Sequence, residues 1–418
     1  MNKEDILSGI NDPEYLEKLF REDEVEFKNE FNLTYPAISG SPLAGFWNAR
    51  LNYENSETTT KFDKSSSELL FIIVASLLAG FIAKVPDIFP INEDFYYPRN
   101  LGFVFLPLLI GYFAWKNKFD RTKILLLGVV ILVLIIFMNL LPGDNNSHTL
   151  ILSAVHLPLF LFSVLGYAFT GGDYKSFTKR LEFLRFNGDL LIVIAPILIS
   201  GSILTGLSTL LFSLINVDVH EIYFRYVGVM GLSAAPIVAA YIVKSNPKLV
   251  SRVSPIIAKI FSPLVLITLV VYLIAMLFSG KNIYSDREFL LAFNFLLIGV
   301  MAIILFSVAG SFKKSEYKAG SIILLALSVL TIVVNCIALS AIIFRITELG
   351  LSPNRLAVLG SNVLIFANLL VVAFRLYRNV FKNSDIREVE DSITLFLPVY
   401  SVWAIIVVII FPFIFRFI

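Results

Sequence analysis

Inside the apolar blocks of this 418-residue chain, few side chains could do chemistry. His156, two residues before Pro158, is the histidine that falls in such a block. It could shuttle a proton or act as a base, because imidazole titrates near neutrality unaided, or it could bridge to a neighbouring helix. Gly231-Leu232-Ser233 is a Gly-x-Ser triplet that a histidine on another helix could turn into a nucleophile; equally, its small residues suit close helix packing. Here the histidine precedes the serine and Ala234 follows it, which fits a hydrolase poorly. Asn294, Asn335, Asn362 and Asn368 punctuate three successive blocks, either as helix-to-helix hydrogen bonds or as the lining of a polar cavity. Lys259 and Arg375 are cations that enter blocks, and both lie near block ends. Such side chains snorkel to the headgroups, or bind an anionic substrate or a lipid phosphate.

What is missing narrows the chemistry further. No Asp or Glu falls in the core of a block, which disfavours ion-driven pumping through a buried carboxylate. The chain has no GxxxxGK[ST], no HExxH and no zinc-type Cys/His spacing, so it implies no metal and no cofactor. Asp218, His220 and Glu221 share one polar connector without a diagnostic metal spacing, and Glu221 is spaced to pair with Arg225. Cys336 is the single cysteine, which excludes a disulfide framework.

The elements that must position these residues follow from composition. Hydrophobic residues make up 57% of the chain and charged ones 16%, with a mean hydropathy of +0.80. Soluble domains average about 45–50% apolar and about a quarter charged. Net charge is +2, so nothing points to nucleic acid. Eleven apolar blocks are expected to span a bilayer, at about 68–84, 101–115, 124–141, 150–169, 190–215, 227–243, 256–278, 289–309, 321–344, 356–377 and 395–417. They must be helices, because lipid leaves no partner for irregular backbone. Lys and Arg in the successive polar segments number 7, 2, 4, 0, 4, 1, 3, 2, 3, 2, 3 and 1. Every odd segment exceeds its neighbours, 24 against 8 in total, so the N-terminus is expected in the cytoplasm and the C-terminus outside.

Residues 1–67 read as a helical cap and linker before the membrane domain, 68–418. They hold 13 acidic and 7 basic residues, and no cleavable signal peptide is apparent. Asp12-Pro13-Glu14 has the form of an N-cap, and Leu16, Phe20, Phe27 and Phe31 form one apolar stripe. Pro36 and Gly40 are expected to break the chain, and 54–67 to be a polar linker. The connector 170–189 reads as an interfacial helix, Phe177, Leu181 and Leu184 opposite Lys175, Lys179 and Arg180, or as a solvated basic loop. Gly228, Gly231 and Pro236 make the short sixth block the best site for a break in a helix beside a pathway.

Three stretches, NVDVHEIYFRYVGVMGLSAAPIVAAYIV (216–243), ELGLSPNRLAVLGSNVLIFANLL (348–370) and DSITLFLPVYSVWAIIVVIIFP (391–412), resemble a bacterial membrane family catalogued as domain of unknown function 4153. The resemblance covers most of the membrane region, and the turn from Gly350 to Arg355 is its most specific part. It implies a multi-pass inner-membrane protein and brings no activity, substrate or catalytic residue. The expectation is therefore an all-α polytopic bundle, transporter- or permease-like for a small or amphiphilic molecule. The alternatives are a sensor or scaffold that recruits a cytoplasmic protein through residues 1–67, and an intramembrane enzyme using His156 or Ser233.

Overall fold

Helix starts in this chain are written by short polar side chains. Asp12 accepts from the Glu14 and Tyr15 amides at 3.0 and 3.1 Å, Asp120 from Lys123 at 2.8 Å, and Ser147 from Leu150 at 3.2 Å. The computed structural model describes residues 3–10, 12–142, 146–214, 219–245, 317–382 and 384–418, with separate helical positions between 262 and 307. The described residues are helical with turns, and no strand occurs among them.

The chain divides into two units, Met1–Ile73 and Val74–Ile418. The first holds α1 (Lys3–Ser8), α2 (Pro13–Glu22), α3 (Glu24–Ile38) and the start of α4 (Pro42–Ala83). Leu16, Phe27 and Phe31 of the expected stripe are fully buried with Ile6, Trp47 and Leu51. Arg50 stacks on Trp47, 4.6 Å from its ring centre, and bonds Glu17 at 2.7 Å. Pro36 lies in the last turn of α3, two residues before that helix ends. The expected linker 54–67 falls inside α4, where no glycine or proline between Gly45 and Gly80 interrupts the helix.

In the second unit follow α5 (Val85–Ile88), α6 (Glu93–Asn100), α7 (Leu106–Lys116), α8 (Arg121–Leu140), α9 (His148–Phe169) and α10 (Phe177–Leu214). Next come α11 (His220–Ser245), α12 (Tyr317–Leu349), α13 (Pro353–Lys382), α14 (Arg387–Leu395), α15 (Leu397–Ile405) and α16 (Phe411–Ile414). Among the described residues, eight helices are long and apolar enough to cross a membrane. Of α8 only Leu127, Leu134 and Met138 are buried, spaced by whole turns, while Leu125, Leu126, Leu132 and Val133 lie open. That much exposed apolar surface suits lipid, not water.

The eleven expected spans and the eight helices differ for two reasons. The second block is divided between a single 3-10 turn (Leu101–Phe103) and the 11 residues of α7, about 16 Å of helix. The seventh and eighth blocks, with Lys259, lie largely outside the described residues. The connector 170–189 also departs from the expected interfacial helix. From Phe177 it forms the first turns of the 38-residue α10, with Leu181 and Leu184 in the main core. Arg180 is buried rather than turned to the opposite face, 4.5 Å from the centre of the Phe177 ring.

Contacts between connectors sort the helix ends into two groups. At the first end, Tyr96 and Tyr97 hydroxyls cap the last carbonyls of α4, on Ile82 and Ala83. Asn100 and Asn139 exchange amide bonds at 2.9 Å, the Thr149 amide donates to the Ile418 carbonyl at 2.9 Å, and Asn354 meets His148 at 2.8 Å. At the second end, Asn117 caps α9 through the Ala168 and Phe169 carbonyls, and Arg185 bonds Glu390 at 3.0 Å.

α12 and α13 are the most extensively packed pair. Their three-residue turn needs Gly350, whose φ of +75° only glycine adopts cheaply. Arg355 then donates to the Leu349 and Gly350 carbonyls at 2.9 and 2.7 Å, closing the end of α12. Between α15 and α16 the backbone widens into a π-turn, Ile406–Ile410, before Pro412. Pro412 has no N–H for the Val408 carbonyl, and the Ser153 hydroxyl of α9 donates to it at 2.9 Å. Ser153→Ala is expected to cost about 1 kcal/mol by stranding that carbonyl, read as a lower melting temperature in detergent, with Ser153→Thr close to wild type.

Candidate functional site

Amide side chains are self-complementary, since each offers both a donor and an acceptor without carrying charge. In the apolar bundle they become the strongest neutral recognition groups available. Asn335 of α12 and Asn362 and Asn368 of α13 are all buried, with relative exposures of 0%, 2% and 0%. The Asn335 amide donates to the Asn362 backbone carbonyl at 3.1 Å, and the Asn362 amide donates to Asn294 Oδ1 at 2.9 Å. Three of the four asparagines thus form one track across α12, α13 and the helical position at 294.

Asn368, midway along α13, turns elsewhere. Its amide donates to the Tyr400 hydroxyl of α15 at 3.1 Å. Tyr400 is a site residue the sequence reading passed over; a tyrosine hydroxyl within the last apolar block was the available signal. A hydroxyl pair, Ser262 with Ser307 at 2.8 Å, is another buried polar link it missed. In both halves of the arrangement one acceptor is left over. Among the described residues, Asn335 Oδ1 and Asn368 Oδ1 are buried without a hydrogen-bond partner. An unmet buried carbonyl costs about 1–3 kcal/mol, so the burial of each oxygen is uncompensated among these residues.

The remaining nominated residues do not join this track. His156 Nδ1 bonds the Leu152 carbonyl one turn back at 2.9 Å, and because a carbonyl only accepts, Nδ1 carries the proton. Ser233 likewise donates to the Val229 carbonyl of its own helix at 2.8 Å. Histidine and serine are each turned back on their own helix and do not bond one another. Pro236 lies inside an α-helix that runs unbroken over Val229–Ser245; the π-turn of α11, Tyr223–Gly228, falls before most of the sixth block rather than within it. Arg375 bonds Glu388, which Arg378 shares at 3.2 Å, so a protein carboxylate already occupies the anion position.

A second polar cluster closes the first end. Asp87 lies between Lys84 at 2.6 Å and Arg225 at 2.5 Å, and Arg225 also reaches Glu221 at 3.4 Å. The Lys84 hydrogen bond, more than that of Arg225, holds the Asp87 carboxyl below its ordinary range against the opposing effect of burial. Among the described residues no group of three or more His, Cys, Asp or Glu is arranged to hold a metal. Comparison with known proteins returns no matching family, no matching curated protein and no matching solved structure.

Proposed function

We propose that the chain is a bacterial inner-membrane protein of eleven spans that passes a small neutral or amphiphilic molecule across the bilayer, as a permease does. The family resemblance of 216–243, 348–370 and 391–412 belongs to the same proposal. The two groups of helix ends support an odd number of crossings. Residues 100–117 take the chain from the Asn139 contact at the first end to the Ala168 contact at the second, a crossing made with a short helix. α11 leaves toward the second end and α12 sets out from it. The Lys- and Arg-rich connectors gather at the second end, which supports a cytoplasmic N-terminus and an outer C-terminus. Reporter fusions at both termini test this: opposite sides are expected, and the same side refutes it.

The single observation behind the transport reading is the pair of amide oxygens, Asn335 Oδ1 and Asn368 Oδ1, that are buried in the bundle without a hydrogen-bond partner among the described residues. Neutral acceptors suit a neutral donor, and among the described residues none of the four asparagines bonds a carboxylate that could couple transport to an ion. Vesicles reconstituted with the protein are expected to take up small hydroxylated or amide solutes faster than empty ones. Asn335→Leu with Asn368→Leu is expected to cut that rate at least tenfold, because the loss of two acceptors at about 0.6–1.7 kcal/mol each compounds. Equal rates in wild type, double variant and empty vesicles would end the proposal.

One observation favours a scaffold as the second reading. The first unit has its own aromatic core yet leaves Leu33 and Phe46 each 74% exposed. Pull-down with Leu33→Ser and Phe46→Ser variants tests it, and loss of a partner without loss of solute uptake is the expected result if this reading holds.

A further inference from the structure

Three helices bring three aromatic rings to one point at the second end. Phe113 of α7, Phe169 of α9 and Phe186 of α10 touch pairwise, with centroids 5.0–5.3 Å apart. Phe113 and Phe186 are buried, so the bundle fixes where their rings stand. Lys244, in the last turn of α11, sets its Nζ over all three rings. It lies 4.1 Å from the centre of Phe169, 5.4 Å from Phe186 and 5.6 Å from Phe113. Among the described residues the Lys244 ammonium makes no hydrogen bond and no ion pair. A ring face attracts a cation through its quadrupole but accepts no strong hydrogen bond. A primary ammonium therefore brings three N–H donors that the rings cannot receive. A quaternary ammonium carries the same charge on methyl groups, which need no acceptor and bury apolar area against the rings. The cage matches that group better than the lysine that fills it.

We propose that Phe113, Phe169 and Phe186 form a binding site for a quaternary ammonium group, and that Lys244 is its tethered occupant. The ligand is a trimethylammonium, carried either by a lipid headgroup or by a free solute. Lys244 is partly exposed, and its four-carbon stem lets the ammonium withdraw toward water or headgroups as the ligand enters. One positive charge leaves the cage and one arrives, so the exchange adds no charge to the bundle. Competition from the lysine lowers the affinity of the wild type by the fraction of time that the cage stands open. The site uses none of the asparagines of the proposed pathway, so it stands or falls separately from transport.

The test is equilibrium binding of choline to the full-length protein in a maltoside detergent. Wild type is expected to bind choline, and Lys244→Ala to bind it about fivefold more tightly, because one partly desolvated cation–π contact no longer competes. Phe169→Leu removes the nearest ring face but keeps apolar volume, and is expected to lose binding with or without Lys244. Dimethylbutanol, the neutral isostere of choline with carbon in place of nitrogen, is expected not to compete. Lys382→Met removes an exposed cation elsewhere and is expected to change nothing. Should Lys244→Ala fail to fold, Lys244→Ser carries the same expectation. An affinity in these variants no higher than that of wild type overturns the tethered lysine. Competition by dimethylbutanol, or undiminished binding in Phe169→Leu, overturns the cage. Displacement of choline by phosphatidylcholine but not by phosphatidylglycerol supports the cage with a lipid headgroup as its ligand. Displacement by neither lipid supports it with a free solute, and displacement by both alike overturns it.

Discussion

Asp87→Ala is expected to destabilise the detergent-solubilised protein by about 3 kcal/mol, the low end of what removing one partner of a buried ion pair costs. Asp87 and Lys84 expose only 3% and 7% of their side chains, so without the carboxylate the Lys84 ammonium is left covered and uncompensated. The low end applies because the pair sits at a helix end and Arg225, its second cation, is 47% exposed. Replacing both covered charges, Lys84→Met with Asp87→Leu, is expected to recover most of the loss. A double variant as unstable as Asp87→Ala would refute the desolvation argument.

The pH dependence has a definite sign. The folded carboxyl titrates below its ordinary value of 3.8, so its stabilisation is complete above that pH and drains away as pH falls through the lowered folded value. Between neutrality and pH 4 this group should therefore cost nothing. Below that, the melting temperature of the wild type should fall more steeply than that of the double variant. Because Arg225 lies in the π-turn of α11, the same variants should also loosen that turn, read as faster amide exchange over 223–228.

Gly360→Val should be the more damaging change in the bundle. A Cβ at position 360 would overlap the Trp403 ring. Its indole N–H donates to the Ser361 hydroxyl at 3.0 Å, and its face meets Phe411 edge-on at 5.9 Å. Overpacking a fitted contact costs about 1–3 kcal/mol, and a branched side chain against a pinned indole belongs at the top of that range or beyond it. The expected result is aggregated material on size exclusion for Gly360→Val and a lowered melting temperature for Gly360→Ala. Pairing Gly360→Ala with Trp403→Leu should restore the melting temperature, since the second change reopens the space. An unaltered Gly360→Ala protein would mean that α13 and α15 do not approach as described.

Features carried by neighbouring residues were legible in the chain. Asp12 was readable as a cap because its side chain bonds amides two and three residues on. Features that depend on a distant partner were not. Arg375 presented itself as a free cation, yet its carboxylate lies 13 residues away, beyond the turn that follows α13. Ser233 offered either a close-packing residue or a nucleophile, and its hydroxyl donates to the Val229 carbonyl of its own helix. Arg180 was assigned to the wet face by charge alone, but Phe177 and the packed start of α10 cover it.

By itself the sequence determined that this is a helical chain with apolar stretches of membrane length, punctuated by caps, turns and an alternating basic charge. These are sums over contiguous residues, and transfer free energy is such a sum. Which asparagine bonds which, which lysine meets the phenylalanines and where Gly360 admits an indole were decided only in the tertiary structure. Lipid is as apolar as leucine, so hydropathy does not choose a helix's neighbour. That choice is made by close packing at small residues and by pairing of the few polar groups, and both are properties of surfaces that chain order leaves open.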